Sequence, residues 1–227
     1  LKTGSDTELL AALIAQTGLE RALSQAHGMF AVAVLDTQAR RLYLVRDRMG
    51  VKPLHWMQLS DGTVAWSSEL KGLLAHPKAP RRIDPIAVEQ FLLFEYIPTP
   101  RTIWQGIHKL GPGTWLEVDR DGIRHHRWWT PPTLERGSAG NFERWAKSLH
   151  GALQVAVHHR MEADVPVGYL LSGGIDSSAV AALAQRKSST PIHTFSMHVG
   201  ADGFDEGNAA AQVARFLGTE HHAVHLT

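Results

Sequence analysis

The 227 residues contain no cysteine. That excludes disulfides, cysteine-based zinc sites and a thiol nucleophile among them. Charge of neither sign is in excess, with 23 Lys and Arg against 22 Asp and Glu. The chain therefore has no basic field for nucleic acid and no acidic tail. Hydrophobic runs are short: none approaches the roughly 20 residues of a membrane span. No charged-then-apolar leader opens the sequence. Repeats and low-complexity segments are missing too. These absences point to a cytoplasmic protein with neither nucleic acid nor membrane as partner. The length suffices for one large or two small domains with real cores.

What is present divides into two styles. Ser5-Asp6-Thr7-Glu8 has the form of a capping box and precedes an apolar stripe of Leu9, Leu10, Leu13 and Ile14, which predicts an amphipathic helix. Strands follow at 30–35 and 41–46, then at 54–59 and 63–67 around the turn pair Asp61-Gly62. A short helix is expected over 69–76. Asp84-Pro85 starts a longer one, which stops before Pro98 and Pro100. A hairpin over 114–118 and 123–128 turns at Asp121-Gly122. Residues 131–141, rich in Pro, Gly and Ser, read as a linker. Beyond it comes a helix carrying Phe142, Trp145, Leu149, Leu153 and Val157 at helical spacing. Strands at 167–171, 192–199 and 223–226 then alternate with helices at 177–187 and 206–217. That alternation predicts a parallel sheet with helices on its faces.

At the end of the first of those strands lies Leu170-Leu171-Ser172-Gly173-Gly174-Ile175-Asp176-Ser177-Ser178. Strand, glycine turn, hydroxyls and helix start make an anion cradle. Glycine lets the backbone approach a phosphate, and the first helical amides have no internal partners. Asp176, an acid in such a place, makes sense as a holder of Mg2+ bridging to the phosphates. The run is not a Walker loop, because it has no lysine. The competing reading is a tight turn before a serine-capped helix. The match to S-G-G-x-D-S-S, the pyrophosphate loop of ATP pyrophosphatases, favours phosphate.

Together with Arg46-Asp47-Arg48-Met49-Gly50-Val51-Lys52-Pro53-Leu54, Ser68-Glu69-Leu70-Lys71, Lys109-Leu110-Gly111-Pro112-Gly113 and Leu217-Gly218-Thr219-Glu220-His221-His222, the loop makes the chain resemble the glutamine-hydrolysing asparagine synthetase family. The resemblance implies an α/β protein whose first part is α+β. Residues 1–130 would be the later part of an N-terminal-nucleophile glutaminase domain with antiparallel sheets. Residues 142–227 would begin a doubly wound, parallel-sheet synthetase domain. It also implies ATP and Mg2+ as cofactors and glutamine, aspartate and ATP as substrates, and is compatible with a homodimer. Asp6 would bind the α-amino group of glutamine. Leu170, Leu171, Ser172, Gly173, Gly174, Asp176, Ser177, Ser178 and Met197 would bind ATP. In that chemistry a leading cysteine hydrolyses glutamine. ATP adenylates the aspartate side chain to β-aspartyl-AMP, and ammonia displaces AMP.

Some residues keep a second reading. Asp6 could instead complement a helix dipole, and Leu171 and Met197 could be core. Asp205 and Glu206 start a helix near the nucleotide or merely cap it. Arg46, Asp47 and Lys52, in a turn between strands, read as structural or domain-interface residues. Trp128 and Trp129 are expected to pack rather than stack on bases. Of the fourteen histidines, none is expected to bind metal: His221 and His222 alternate across a strand, as do His125 and His126. A helix start at the first residues and a strand at the last suggest an internal piece of a longer protein, without glutaminase activity of its own. A related amidotransferase or β-lactam synthetase-like enzyme adenylating another carboxylate, and a non-catalytic remnant of the fold, are the alternatives.

Overall fold

The computed structural model describes residues 2–133, 141–199 and 206–226. The chain divides into two compact units, Leu1–Leu134 and Glu135–Thr227. Most of the expected linker, residues 134–140, lies outside the described residues.

The first unit begins with α1 (Asp6–Thr17) and α2 (Leu19–Gln25), separated at Gly18, whose φ of +82° breaks the helix. It continues with β1 (Ala31–Asp36), β2 (Arg41–Arg46), β3 (His55–Gln58), β4 (Val64–Ser67), α3 (Leu70–Leu74), α4 (Pro85–Phe94), β5 (Ile107–Lys109), β6 (Thr114–Asp119) and β7 (Gly122–Arg127). Two antiparallel sheets result, ordered β1-β2-β6-β7 and β4-β3-β5.

Strand alternation fixes how they stack, because neighbouring side chains point to opposite faces. In β2, Leu44 faces a core shared with Leu54, with Leu116 of β6 and with Trp56 of the second sheet, while Val45 faces Leu23 of α2. In β6, Leu116 and Trp115 divide the same way. In β3, Trp56 looks to the first sheet and Met57 to Leu73 of α3. The layers are therefore helix, sheet, sheet, helix.

Two local expectations differ from the structure, and one strand goes beyond them. The helix after Ser5 buries none of its residues, and α2 with Ala22 and Leu23 supplies the covering instead. The capping box is only half formed. Ser5 accepts the Thr7 amide, but Glu8 reaches past it to the amides of Lys2 and Thr3 at 2.7 and 2.6 Å, because the Thr3 hydroxyl already takes the Ser5 amide. Finally, β5 had no counterpart in the sequence pattern.

The second unit holds α5 (Phe142–Met161), β8 (Gly168–Leu170), α6 (Ile175–Lys187), β9 (His193–Val199), α7 (Gly207–Leu217) and β10 (Glu220–Leu226). Its sheet is parallel and ordered β10-β9-β8. The strands lie in chain order, so right-handed crossovers put both connecting helices on one face. That face is the core, formed by Val157, Leu171, Ala181, Ala184, Ile192, Ala210 and Ala214. Leu170, Phe195, Met197 and Val224 on the other face remain exposed. The apolar stripe of α5 is likewise mostly uncovered, with only Val157 buried.

Candidate functional site

The Leu171 amide donates to the Phe195 carbonyl at 2.8 Å, extending the pairing of β8 one residue past its end. The chain then turns through Ser172, Gly173 and Gly174 into α6. Gly173 has φ +81°, and a Cβ there would stand 2.6 Å from Ala209 Cβ and 2.8 Å from the Ala210 nitrogen. Only glycine fits between this turn and the start of α7. Gly174 is the N-cap of α6 and supplies no side-chain bond. The first-turn amides of Ile175, Asp176 and Ser177 therefore open outward at the positive end of the helix.

The hydroxyls tie the turn together. Ser172 Oγ lies 2.9 Å from Ser177 Oγ, which also accepts the Ser172 amide and donates to the Gly174 carbonyl, both at 3.3 Å. The Gly174 amide donates to Ser172 Oγ at 3.3 Å. Ser178 Oγ is buried and has no hydrogen-bond partner among the described residues. Asp176 is exposed in the first turn of α6. Glycine approach, open amides, hydroxyls and one carboxylate suit a phosphate chain with a divalent cation, so the residues present fit the ligand expected of them.

The other expected nucleotide residues separate. The Leu171 side chain is 2% exposed and belongs to the core, leaving only its backbone for a ligand. Leu170 and Met197 are exposed on the uncovered sheet face. Leu170 pairs with Phe195, and Met197 lies two residues further along β9 on the same face. Glu206 is the N-cap residue of α7 without a side-chain capping bond. Asp205 lies outside the described residues.

In the first unit, Asp6 opens α1 with an exposed carboxylate whose only partner shown is the adjacent Thr7 hydroxyl, at 3.3 Å. Ser5 caps the helix and Glu8 takes the amides of Lys2 and Thr3, so Asp6 is left available for a cation. Arg46, Asp47 and Lys52 are structural. Buried Asp47 accepts the amides of Met49, Val51 and Lys52 at 3.2, 2.9 and 2.9 Å. The Arg46 guanidinium donates to the carbonyls of Lys52, Leu110 and Gly50. Trp128 donates to the Arg46 carbonyl and carries Arg48 over its ring at 5.3 Å. A cavity of about 480 Å³ beside the start of α4, lined by Asp84 and Arg101 among others, contains none of the expected site residues.

The histidines divide as strand alternation requires. His221 faces the core, bonded to Thr194 and Ser196 at 3.0 Å each, and burial lowers its pKa. His222 faces the other way, and there it meets His193 and Glu220. That triad was missed in the sequence because it depends on the register between two strands.

Comparison with known proteins matches both units to families. Residues 1–129 match the family model for a glutamine amidotransferase domain, and residues 148–227 match the one for asparagine synthase. Asparagine synthetase [glutamine-hydrolyzing] 3 of Bacillus subtilis is 30% identical over 96% of this chain and 37% of its own length. Putative asparagine synthetase [glutamine-hydrolyzing] 2 of Methanocaldococcus jannaschii is 33% identical over 97% of this chain and 43% of its own length. The chain thus spans less than half of these curated relatives. A solved glutamine phosphoribosylpyrophosphate amidotransferase from B. subtilis aligns with TM-score 0.37 and 16% identity over 98% of this chain and 40% of that one, a likeness too slight to bear on function.

Proposed function

Because the chain belongs to the glutamine amidotransferase family over its first 129 residues and is similar to asparagine synthase beyond them, we propose that it is part of an ATP-dependent amidotransferase. In this reading the 172–178 loop binds the phosphates of ATP so that a side-chain carboxylate oxygen of aspartate attacks the α-phosphorus, the bond to the β-phosphate breaks and pyrophosphate leaves. Ammonia derived from glutamine then displaces AMP and leaves asparagine. Adenylation turns a poor leaving oxygen into a good one. The first-turn amides of α6 and the Ser178 hydroxyl offer donors where charge gathers on the departing pyrophosphate. Asp176 would hold Mg2+, which supplies charge neutralisation at the phosphates.

Glutamine would be anchored in the first unit by Asp6, since a carboxylate with no strong internal partner suits an α-ammonium group. The helix, sheet, sheet, helix layering supports a glutaminase-type fold for that unit. With no cysteine among the 227 residues, attack on the glutamine amide is assigned to none of them. The domain reading is then 1–130 for the glutaminase part and its connection, 131–141 for the linker and 142–227 for the start of the synthetase part.

The observation that carries the proposal is the uncapped start of α6 beside a buried, unpartnered Ser178 hydroxyl. Equilibrium dialysis of the chain with ATP, pyrophosphate and AMP in Mg2+ tests it. ATP and pyrophosphate should bind, with AMP at least about tenfold weaker, the difference expected when charge-assisted bonds to the outer phosphates are lost. Equal affinity for ATP and AMP would contradict a loop that grips the outer phosphates.

A further inference from the structure

The first residues of β9 and β10 bring three metal-binding side chains onto the exposed face of the parallel sheet. His193 pairs in register with Glu220, and His222 sits two residues further along β10, opposite Phe195. Residues two apart share a face, so the imidazoles and the carboxylate converge. His193 Nδ1 is 3.3 Å from His222 Nε2 and 3.5 Å from Glu220 Oε2, and His222 Nε2 is 3.6 Å from Glu220 Oε1. Phe195 stacks on His222 with ring centroids 4.9 Å apart and planes inclined by 20°, which orients that ring.

The spacing of the two imidazole nitrogens has a size that coordination chemistry recognises. Ligands held about 2.0–2.1 Å from a tetrahedral zinc ion lie roughly 3.3–3.4 Å from one another. Cis ligands of a small octahedral ion such as Mg2+, at about 2.1 Å, lie only about 3.0 Å apart. The observed 3.3 Å between the two imidazole nitrogens fits the tetrahedral case, and each nitrogen has one Glu220 oxygen at 3.5 or 3.6 Å. Two neutral imidazoles and one carboxylate are also a donor set that zinc and cobalt prefer over magnesium. All three side chains are partly exposed, so an ion has a path in and a fourth position remains open.

We propose that His193, Glu220 and His222 form a three-ligand transition-metal site, of the zinc or cobalt type, that clamps the start of β9 to the start of β10. The site is separate from the phosphate loop. It lies at the beginnings of the strands, whereas the loop follows the end of β8. His221 is not a ligand, because its ring is held on the opposite face by Thr194 and Ser196.

The test uses the 227-residue chain, freed of metal with a chelator and titrated with Co2+ and then Zn2+. One equivalent of Co2+ should give the intense visible absorption of a four-coordinate ion, and one equivalent of Zn2+ should abolish it. His193→Gln, His222→Gln and Glu220→Gln should each weaken Zn2+ binding at least about tenfold. Glu220→Gln keeps the side-chain shape at an exposed position, so its effect reads ligation rather than folding. His150→Gln, on α5, should change nothing. Failure of the wild-type chain to bind one equivalent, or binding that survives Glu220→Gln and His222→Gln as adventitious capture by other histidines would, overturns the proposal.

Discussion

The hydroxyl oxygens of Ser172 and Ser177 lie 2.9 Å apart and latch the first residue of the strand-to-helix turn onto the first turn of α6. The same Ser177 oxygen accepts the Ser172 amide. Ser177→Ala removes both ties. It should cost about 1 kcal/mol of stability, the usual net worth of such bonds, and weaken ATP binding about tenfold. Urea unfolding and ATP titration of the same variant measure the two effects.

Gly173→Ala should be worse for the fold. The residue occupies a left-handed conformation, and the new methyl would meet α7 at Ala209 and Ala210. Conformational strain and steric contact together should cost about 2 kcal/mol or more. The turn and the start of α7 would have to separate, so pyrophosphate binding should be lost in the fraction that stays folded. An unchanged urea midpoint would mean that the turn is not pressed against α7 as described.

In the first unit the residue to remove is Asp47. It is 1% exposed and satisfies three amides of its turn. Asp47→Ala leaves those donors without an acceptor and should destabilise this unit by about 3 kcal/mol. Binding of ATP should be untouched, because the loop belongs to the other unit. Loss of ATP affinity in a folded Asp47→Ala chain would contradict the purely structural role given to this carboxylate.

Acid should weaken the first unit through one cluster. Arg124 donates to Asp119 and to Glu117, and Arg41 stands 3.3 Å from Glu117. The Arg124 bonds hold both carboxyls below their ordinary range. A carboxylate whose pKa is lower in the folded state binds its proton more readily when unfolded. Its contribution is therefore present above its unfolded pKa, about 4, and disappears as pH falls through the folded value. Arg124→Gln should move the acid-unfolding midpoint to higher pH and leave stability near neutrality less affected by salt. Circular dichroism followed from pH 7 downward checks this, and an unmoved midpoint would count against it.

Much of this architecture can be read from local sequence signals, and the exceptions share a cause. Asp84 caps α4, with its carboxylate accepting the Ile86 amide at 3.0 Å and Pro85 at the first position, as the dipeptide implies. Asp121-Gly122 joins β6 to β7 with Asp119 opposite Gly122. The phosphate turn is legible because its glycines and hydroxyls are contiguous. What escapes local reading is whatever tertiary pairing decides. The three-residue β5 exists only because β3 offers it an edge. The stripe on α1 looks like a core-facing one, yet Leu9 is 55% exposed because α2 covers the sheet. Leu171 looks like a site residue by position, and the α6–α7 core takes its side chain. His193 and Glu220 are 27 positions apart and meet through strand register alone.

The central claim, that the uncapped start of α6 holds the phosphates of ATP, is tested most directly by amide NMR of the chain titrated with pyrophosphate and Mg2+. The account predicts saturable shifts of the Gly174, Ile175, Asp176 and Ser177 amides, with Asp176→Asn requiring about tenfold more ligand once Mg2+ is present. Unshifted amides in this turn at saturating pyrophosphate and Mg2+ would contradict it.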